Sequence, residues 1–276
     1  MEKVYEFELF RVLLEEPPQK EMFEQFPIRE EILNTVLITK PSIALRQTVK
    51  WHIGNVVTST EWIHFLIGKS SLKKQEHLDP ESGDFVIMNG EESPFTYGML
   101  HPATGLVAIA KKSKLAAQTT TVARRFKSIL ESTNVIVESN YNVRIKFLPD
   151  PQKFRTAIKE AYAVKSVNFT ISPSNPLDID SRIHLPSKKF VDETLADEGK
   201  FSVKGKSLNK KVVIETTNSV ALVGDDASAL IQKRKNEKST RIHLNGDPSK
   251  VTIKESQVGT VEAEAIVTEA YKHIKK

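Results

Sequence analysis

The stretch KVYEFELFRVLLEE, residues 3–16, opens with apolar and acidic side chains in alternation. Tyr5, Phe7 and Leu9 occupy every second position, and glutamates separate them. A period of two is typical of a β-strand that buries one face, so this stretch predicts a strand at the start of the chain. The paired prolines at positions 17 and 18 end the pattern, because proline cannot donate a ladder hydrogen bond.

Beyond this strand, short alternating or apolar runs predict strands at 42–68, 85–88, 95–100, 106–110, 134–148, 167–171, 212–215, 220–224, 241–244 and 251–253. Helical periodicity predicts helices at 115–130, 151–164, 227–235 and 261–274. Residues 69–83 are predicted to form a polar loop, and 178–199 a weakly helical region. The order of these elements predicts an α+β fold, with mixed, largely antiparallel sheets and a few packed helices.

The chain has 276 residues, which suffices for one large domain or two of ordinary size. We expect two α+β halves, an N-terminal half over residues 1–148 and a basic C-terminal half over 149–276. The division falls near Leu148, where a run of strands gives way to a helix that opens at Asp150-Pro151. One continuous domain stays open as the alternative.

The composition excludes several classes of protein and site. The chain has no cysteine, which excludes disulfides, thiolate catalysis and zinc sites with cysteine ligands. Its apolar runs are far shorter than the roughly 20 residues that span a bilayer. Its first residues mix charged and apolar side chains, unlike the continuous apolar core of a signal peptide. We therefore expect a cytoplasmic protein with no membrane span.

Two Gly-Lys-Ser tripeptides, at 68–70 and 205–207, raise the question of nucleotide binding. A phosphate-binding loop needs a second glycine five residues before the first, and those positions hold Ile63 and Lys200. The seven histidines are scattered, with no pair at the spacing that shares a metal on a helix. The sequence therefore predicts no cofactor and no metal site.

A magnesium-dependent nuclease is the enzymatic alternative that the sequence leaves open. Asp178 or Asp180, followed by Glu198 and Lys200, has the order Asp…Glu-x-Lys that holds Mg²⁺ and orients a water. The context is unfavourable, because residues 197–200 read as a polar turn and not as a strand with apolar neighbours. The chain also has no Gly-x-Ser-x-Gly nucleophile motif, so we expect no catalytic residues.

Charge is unevenly distributed along the chain, although the net charge is only +5. Residues 1–35 carry nine acidic and four basic side chains, whereas Lys200 to Lys254 carry twelve basic and five acidic ones. Such polarity bears on partners and not on the fold. The acidic start leaves open a protein-interaction subunit that docks a basic partner, and the basic segment favours a polyanion.

The basic segment contains two clusters that flank predicted strands. Lysine and arginine at the ends of strands contact phosphates by charge, largely without regard to base sequence. Few aromatic residues lie in the segment, which favours duplex backbone contact over base stacking. We expect DNA, more than RNA, as the partner. Ordinary solubilising loop charge is the alternative reading. The candidate residues are Lys204, Lys206, Lys210, Lys211, Lys233, Arg234, Lys235, Lys238 and Arg241, preceded by Lys200, with Arg124 and Arg125 as an extension.

Four short motifs lie in the middle of the chain: ESPFTY (92–97), GLVAI (105–109), FKSIL (126–130) and FTISPSNP (169–176). Their order over residues 60–180 resembles prokaryotic phage-exclusion and abortive-infection DNA-binding proteins, the RexA-like and KwaB-like group. The resemblance implies a non-catalytic, DNA-binding homodimer that acts in antiviral defence beside an effector protein. It carries over no individual site residue.

Overall fold

A computed structural model describes residues 2–15, 28–46, 48–78, 80–171, 184–194, 196 and 198–275. These residues form an α+β fold with antiparallel sheets, as the sequence predicts. The strands are β1 (Val4–Glu15), β2 (Ser42–Arg46), β3 (Val49–Thr58), β4 (Ile63–Leu78), β5 (Phe85–Glu92), β6 (Phe95–His101), β7 (Leu106–Ala110), β8 (Asn142–Phe147), β9 (Ala163–Ile171), β10 (Gly199–Lys204), β11 (Ala227–Gln232), β12 (Thr240–His243) and β13 (Lys250–Lys254). The helices are α1 (Arg29–Ile38), α2 (Thr119–Glu131), α3 (Asn134–Glu138), α4 (Gln152–Glu160), α5 (His184–Glu193), α6 (Lys210–Leu222) and α7 (Val261–Lys275).

The larger sheet has nine strands and is organised around β1, the strand that the opening pattern predicts. The path of the sheet is β13-β1-β7-β6-β4-β3-β2, with β5 added to β4 and β8 added to β1. Twelve residues long, β1 pairs with β13 near its start, with β7 in its middle and with β8 towards its end. β1 therefore joins strands from the middle of the chain, β7 and β8, to β13 near the C-terminal end of the described residues.

The nine-stranded sheet is covered on both faces. Phe7 and Leu9 of β1 belong to one core, together with residues of α4, α6 and α7. Phe10, Val12 and Leu14 belong to a second core, together with residues of α1, α2 and α3. The apolar run that follows Leu9 in the sequence fits this arrangement, since a strand buried on both faces loses its alternation.

The smaller sheet has four antiparallel strands in the order β10-β9-β11-β12. Val167, Phe169 and Ile171 of β9 are buried on one face, in the core that also contains α4, α6 and α7. Val191 of α5 lies on that same face, since a Cβ added at Gly199 would meet its Cγ2. The described chain is therefore layered as helices, nine-stranded sheet, helices and four-stranded sheet.

Over residues 210–232 the structure has a helix where the sequence predicts strands, and a strand where it predicts a helix. The strands predicted at 212–215 and 220–224 are instead helix α6 and the turn that follows it. The β-branched run at Val212 favours a strand, but the Asn209 side chain accepts hydrogen bonds from the backbone N–H groups of Lys211 and Val212 and caps a helix. Buried Val213, Thr217 and Val220 then fall at helical spacing.

The short helix predicted at 227–235 is wrong, because residues 227–232 form strand β11. Its side chains alternate between buried and half-buried, a strand pattern that the small residues of ASALIQ conceal. Gly224, with φ of 71°, ends α6 in a conformation that favours glycine, and the chain turns there into β11. Pairing with β9 over its whole length then fixes the strand.

Four further boundaries differ from the sequence prediction. Residues 69–78 continue β4 where a polar loop was predicted, because they pair with β5 and β3. Residues 134–138 are helix α3 at the start of a predicted strand. Helix α2 begins at Thr119 and not near Leu115, since Leu115 is buried in the preceding turn. The predicted helix at 151–164 ends at Glu160, where β9 follows within three residues.

Contacts cross Leu148, the position of the predicted division. Strand β13, from the C-terminal part, pairs with β1, and buried residues of both parts share one core. The division into two halves stays a prediction. No helix of the described residues is long and apolar enough to cross a membrane.

Candidate nucleic-acid interface

The second face of the four-stranded sheet, here called the outer face, points away from the helices. Strand alternation places Lys204, Ser166, Leu230 and Arg241 in one row across the four strands, since each pairs with the next in the register. A second row consists of Ser202, Asn168, Ser228 and His243. Lys200 and Thr170 form a partial third row on the same face.

The cations of the outer face are widely spaced and exposed. Lys204 and Arg241 occupy the two edge strands, so three strand intervals, or about 14 Å, separate their backbones. Lys200 and Lys204 lie four residues apart on β10, which is about 13 Å along the strand. All three residues are exposed, and Ser166, Asn168 and Ser228 between them are buried or half-buried. The result is a polar surface with positive charge at its margins.

Two of these cations have local partners that keep them on the outer face. The Arg241 Nη1 donates to the Ser228 hydroxyl at 3.2 Å. The Lys200 ammonium lies 2.9 Å from a carboxylate oxygen of Glu198, with both side chains more than half exposed. Exposed pairs of this kind contribute little energy and exchange readily with a competing anion.

A second group of cations lies in the turn between β11 and β12, here called the basic hairpin; its members are Lys233, Arg234, Lys235 and Lys238. Strand β9 runs antiparallel to both β10 and β11, so the last residues of those two strands lie at one end of the sheet. Lys204 pairs with Ser166 there, and Gln232 pairs with Ala163. The two predicted clusters therefore meet at one end of one sheet, through β10 and not through a strand at 212.

Three predicted residues next to the sheet have structural contacts of their own. The Lys210 ammonium donates to the backbone carbonyls of Lys159, at 3.0 Å, and of Ala161, which places it at the end of α4. Lys211 lies one turn from Glu215 on α6, in an exposed pair. The Lys206 carbonyl accepts from the Lys165 ammonium at 2.8 Å. Lys165 thus adds a cation to this end of the sheet.

Arg124 and Arg125 lie elsewhere. They belong to α2, whose buried side chains pack in the core shared with α1 and α3. Phe126, next in the chain, stacks on Phe65 of β4 with ring centroids 5.1 Å apart. The nine-stranded sheet therefore separates these arginines from the four-stranded sheet, and the structure does not bring them to the outer face.

A groove of about 510 Å³ lies between α4 and the basic hairpin. Its lining includes Lys153, Lys233 and Arg234. The Lys153 ammonium lies 2.6 Å from an Asp247 carboxylate oxygen, and this hydrogen bond raises the pKa of Lys153 and lowers the pKa of Asp247. Exposed Tyr162 follows α4 and donates its backbone N–H to the Lys233 carbonyl, at 3.3 Å. Glu160 also lines the groove, so Lys233 and Arg234 of the basic hairpin lie there beside a paired lysine and a carboxylate.

The nuclease alternative finds no assembled site in the described residues. Glu198 and Lys200 pair with each other, and Lys200 belongs to β10 and not to the polar turn that was predicted. Asp178 and Asp180 lie outside the described residues. Within the described ranges, no group of three histidine, aspartate or glutamate side chains could hold a metal ion.

The sequence prediction missed the polar residues between the cations, among them Asn168, Thr170 and Ser228. A signal for them was present, because polar Asn168 and Thr170 alternate with apolar Val167 and Phe169 in β9. Such alternation indicates a strand with one open face. No protein-family model matches the chain, and no curated protein is significantly similar to it in sequence.

Proposed function

We propose that this protein binds nucleic acid, foremost duplex DNA, by contacting phosphates with the outer face and the basic hairpin. The observation that carries the proposal is the row from Lys204 to Arg241, with Lys200 beside it, on a sheet face that the described helices leave uncovered. Lysine and arginine supply the charge that phosphates attract, and the serine and asparagine groups between them supply hydrogen bonds.

The chemistry of the outer face favours the sugar–phosphate backbone over the bases. Its described residues include no phenylalanine, tyrosine or tryptophan, and Phe169 and Phe201 lie on the opposite, core-facing side. Stacking platforms for single strands depend on such aromatic side chains. Backbone contact without stacking gives affinity that depends on salt and little on base sequence.

The spacing of the cations favours a duplex. Lys204 and Arg241 are about 14 Å apart, close to the roughly 12 Å width of the major groove of B-DNA. Long, flexible side chains at that separation can contact phosphates on both sides of one groove. The basic hairpin, at one end of the same sheet, can contact phosphates further along the duplex.

The test is the salt dependence of binding to a labelled duplex of arbitrary sequence, measured by fluorescence anisotropy. Each phosphate contact contributes about 0.9 to the slope of log affinity against log salt, so K200A/K204A/R241A should reduce the slope by about 2 to 3. The matched control R124A/R125A removes two arginines from α2 and should leave the slope unchanged. Absence of binding at low salt, or an equal loss in the control, would refute the proposal.

A role in phage defence, together with an effector protein, is the prediction that the resemblance adds. If DNA binding serves that role, K200A/K204A/R241A should lose protection against plaque formation in cells that carry the complete system. The control R124A/R125A should retain it. Full protection by the triple variant would show that defence does not depend on the cations of the outer face.

A further inference from the structure

A pocket of about 250 Å³ lies between the nine-stranded sheet and the start of α7. Strands β1, β3, β4 and β6 line one side of it, and α7 with the turn that precedes it lines the other. Among the lining residues Phe7, Met99 and Ala263 are buried, whereas Asn55 and Val57 are exposed, so the pocket opens to solvent beside β3. At about 30 Å³ per water in the liquid, its volume equals that of roughly eight waters, which is the size of one small ring system.

A histidine in the pocket wall is held in place by a carboxylate. His64 of β4 has its Nε2 atom 2.7 Å from a carboxylate oxygen of Glu264 on α7, and the two side chains are only 12% and 13% exposed. Because a carboxylate accepts hydrogen bonds, Nε2 carries the hydrogen, and in the neutral ring Nδ1 is then an acceptor. Nδ1 has no hydrogen-bond partner within the described residues. Glu264 therefore orients an imidazole that brings an unused acceptor to the pocket.

The second polar group of the pocket is the side-chain amide of Asn55, at a bulge in β3. Gly54 pairs with Leu66 and Val57 pairs with His64, so β3 contains one residue more than β4 over this stretch. Asn55 has φ of 47°, a conformation that asparagine adopts more readily than most residues, and bulges commonly re-aim a side chain beside a site. Its amide has no hydrogen-bond partner in the part of the chain that the structure describes. Since Val57 lies opposite His64, the amide and the imidazole line adjacent parts of the pocket.

These two groups define the chemistry of a ligand. An asparagine amide presents a donor beside an acceptor, the combination that pairs with the amino group and the neighbouring ring nitrogen of adenine. The same amino group has a second hydrogen, which His64 Nδ1 can accept. Leu66, Met99 and Tyr97 supply apolar and aromatic contacts for a flat ring. Pockets that combine apolar walls with a few convergent polar groups are the usual form of small-molecule sites.

We propose that this pocket binds a nucleobase with an exocyclic amino group, foremost adenine. Asn55 pairs with the amino group and the adjacent ring nitrogen, His64 accepts from the same amino group, and Glu264 is a positioning residue for His64. The base belongs either to a free nucleoside or nucleotide or to an unstacked position of a strand. The proposal does not rest on phosphate binding, because the pocket shares no residue with the outer face or the basic hairpin.

The first test titrates the full chain with adenosine by calorimetry, at high salt, where phosphate contacts are weak. Adenosine should bind saturably, and purine riboside, which lacks the amino group, should bind about tenfold more weakly or worse. K200A/K204A/R241A should bind adenosine like the intact chain, which keeps this result separate from the role of the outer face. Absence of saturable adenosine binding, or equal binding of purine riboside, overturns the proposal.

The amide is tested by N55G, which removes it and keeps a residue suited to positive φ. N55G should weaken adenosine binding by about tenfold and bring it close to that of purine riboside. The matched control is N140G, since Asn140 is also an exposed asparagine with positive φ, at 53°, and lies outside the pocket. N140G should bind adenosine like the intact chain. Full affinity in N55G, or an equal loss in N140G, contradicts the assignment.

The contact with His64 has a spectroscopic test. Nitrogen NMR of the imidazole should show a protonated Nε2 and an unprotonated Nδ1, identified by the loss of both signals in H64Q. Saturation with adenosine should shift the Nδ1 signal upfield, because the atom then accepts a hydrogen bond, and purine riboside should not. A His64–Glu264 pair that only joins β4 to α7 would show no such shift. An unchanged Nδ1 signal at saturation therefore overturns the role of His64.

The source of the base is distinguished with a short single strand that has one adenine among abasic nucleotides, titrated at high salt. Affinity equal to that of adenosine supports an unstacked base of a strand as the ligand. Binding of adenosine alone supports a free nucleoside or nucleotide. Binding of neither overturns the proposal, and it leaves the phosphate contacts of the outer face untouched.

Discussion

The two sheets differ in coverage more than in construction. Both are antiparallel, but among the described residues the nine-stranded sheet has helices on both faces and the four-stranded sheet has helices on one. One arginine from each sheet shows how coverage affects the exposure of a strand residue. Arg11 of β1 is fully buried and Arg241 of β12 is exposed, although both are strand residues. Coverage therefore decides whether a strand cation holds the fold together or is available to a ligand.

Arg11 illustrates the structural use of a strand cation. Its Nη1 donates to the Leu222 carbonyl at 2.9 Å and to the Tyr271 hydroxyl at 2.6 Å, which connects β1 to the ends of α6 and α7. Its guanidinium lies 5.7 Å from the centroid of the Tyr271 ring. Within the described residues, Nε and Nη2 have no hydrogen-bond partner, so burial of this charge is only partly compensated.

The largest predicted effect separates the two faces of β9. Phe169 is 4% exposed in the core, whereas Asn168, its neighbour in sequence, lies on the outer face. Phe169→Ala should destabilise the protein by about 4 kcal/mol through the cavity it leaves. Asn168→Ala should change stability by less than about 0.5 kcal/mol, as is usual at the surface. Urea unfolding measures both values, and similar losses would contradict the assignment of faces.

The second effect compares the two strand arginines. Arg11→Ala should cost about 3 kcal/mol, because it leaves a cavity and removes the donor from the Leu222 carbonyl and the Tyr271 hydroxyl. Arg241→Ala should cost less than about 0.5 kcal/mol, since its only described contact is one exposed hydrogen bond. The measurement is again the free energy of unfolding. A stable Arg11→Ala variant would show that the arginine is dispensable to the core.

The third effect concerns Arg155 of α4, which connects the helices between the sheets. Its guanidinium donates to the carbonyls of His273 and Ile274 and to the Asn218 side chain, and burial lowers the pKa of Arg155. Arg155→Met should cost about 2 kcal/mol, because carbonyls at the end of α7 lose their donor. The control Lys153→Met removes an exposed cation from the same helix. If the control lowers the melting temperature equally, lost charge and not lost capping is responsible.

The smallest effect is a pH dependence within the nine-stranded sheet. His52 of β3 lies 2.9 Å from the Ser70 hydroxyl, and burial, with a smaller contribution from Lys50, lowers the pKa of His52. The folded state thus favours the neutral ring. Its contribution to the free energy of unfolding is fully present above the pKa of about 6.5 of the unfolded chain, and it is lost as pH falls through the lower pKa of His52 in the folded state. His52→Gln should lose less stability than the intact chain between about pH 7 and pH 5. Identical pH profiles would exclude this contribution.

The sequence predicts the fold class and the elements with a clear period. Strand β1 alternates from its start, and α7 combines helical spacing with Lys272 and Lys275 in its last turn. The prediction of secondary structure fails for residues 210–232, because the local preference of the residues for helix or strand disagrees there with their long-range packing and pairing. The valines of α6 favour a strand, and only the Asn209 cap and packing against α7 and β9 make the segment helical.

The basic residues of the candidate site can be predicted from the sequence, but the surface on which they lie cannot. Basic residues of β10 and the basic hairpin can be read from the sequence, because they are close together in the chain. Their common surface depends on β9, which lies between β10 and β11 and contributes Asn168 from outside the basic segment. Arg124 and Arg125 are far from the basic segment in the sequence. Only the position of α2 in the fold shows that they lie away from the outer face.

The most direct test of the outer face as the binding surface is photo-crosslinking to a duplex whose backbone phosphorothioates carry an aryl azide, with the linked peptides identified by mass spectrometry. Crosslinks are expected in β9, β10, β11, β12 and the basic hairpin, and none in α2. Crosslinks confined to the helices on the far side of the nine-stranded sheet, or none at low salt, would contradict binding through the outer face.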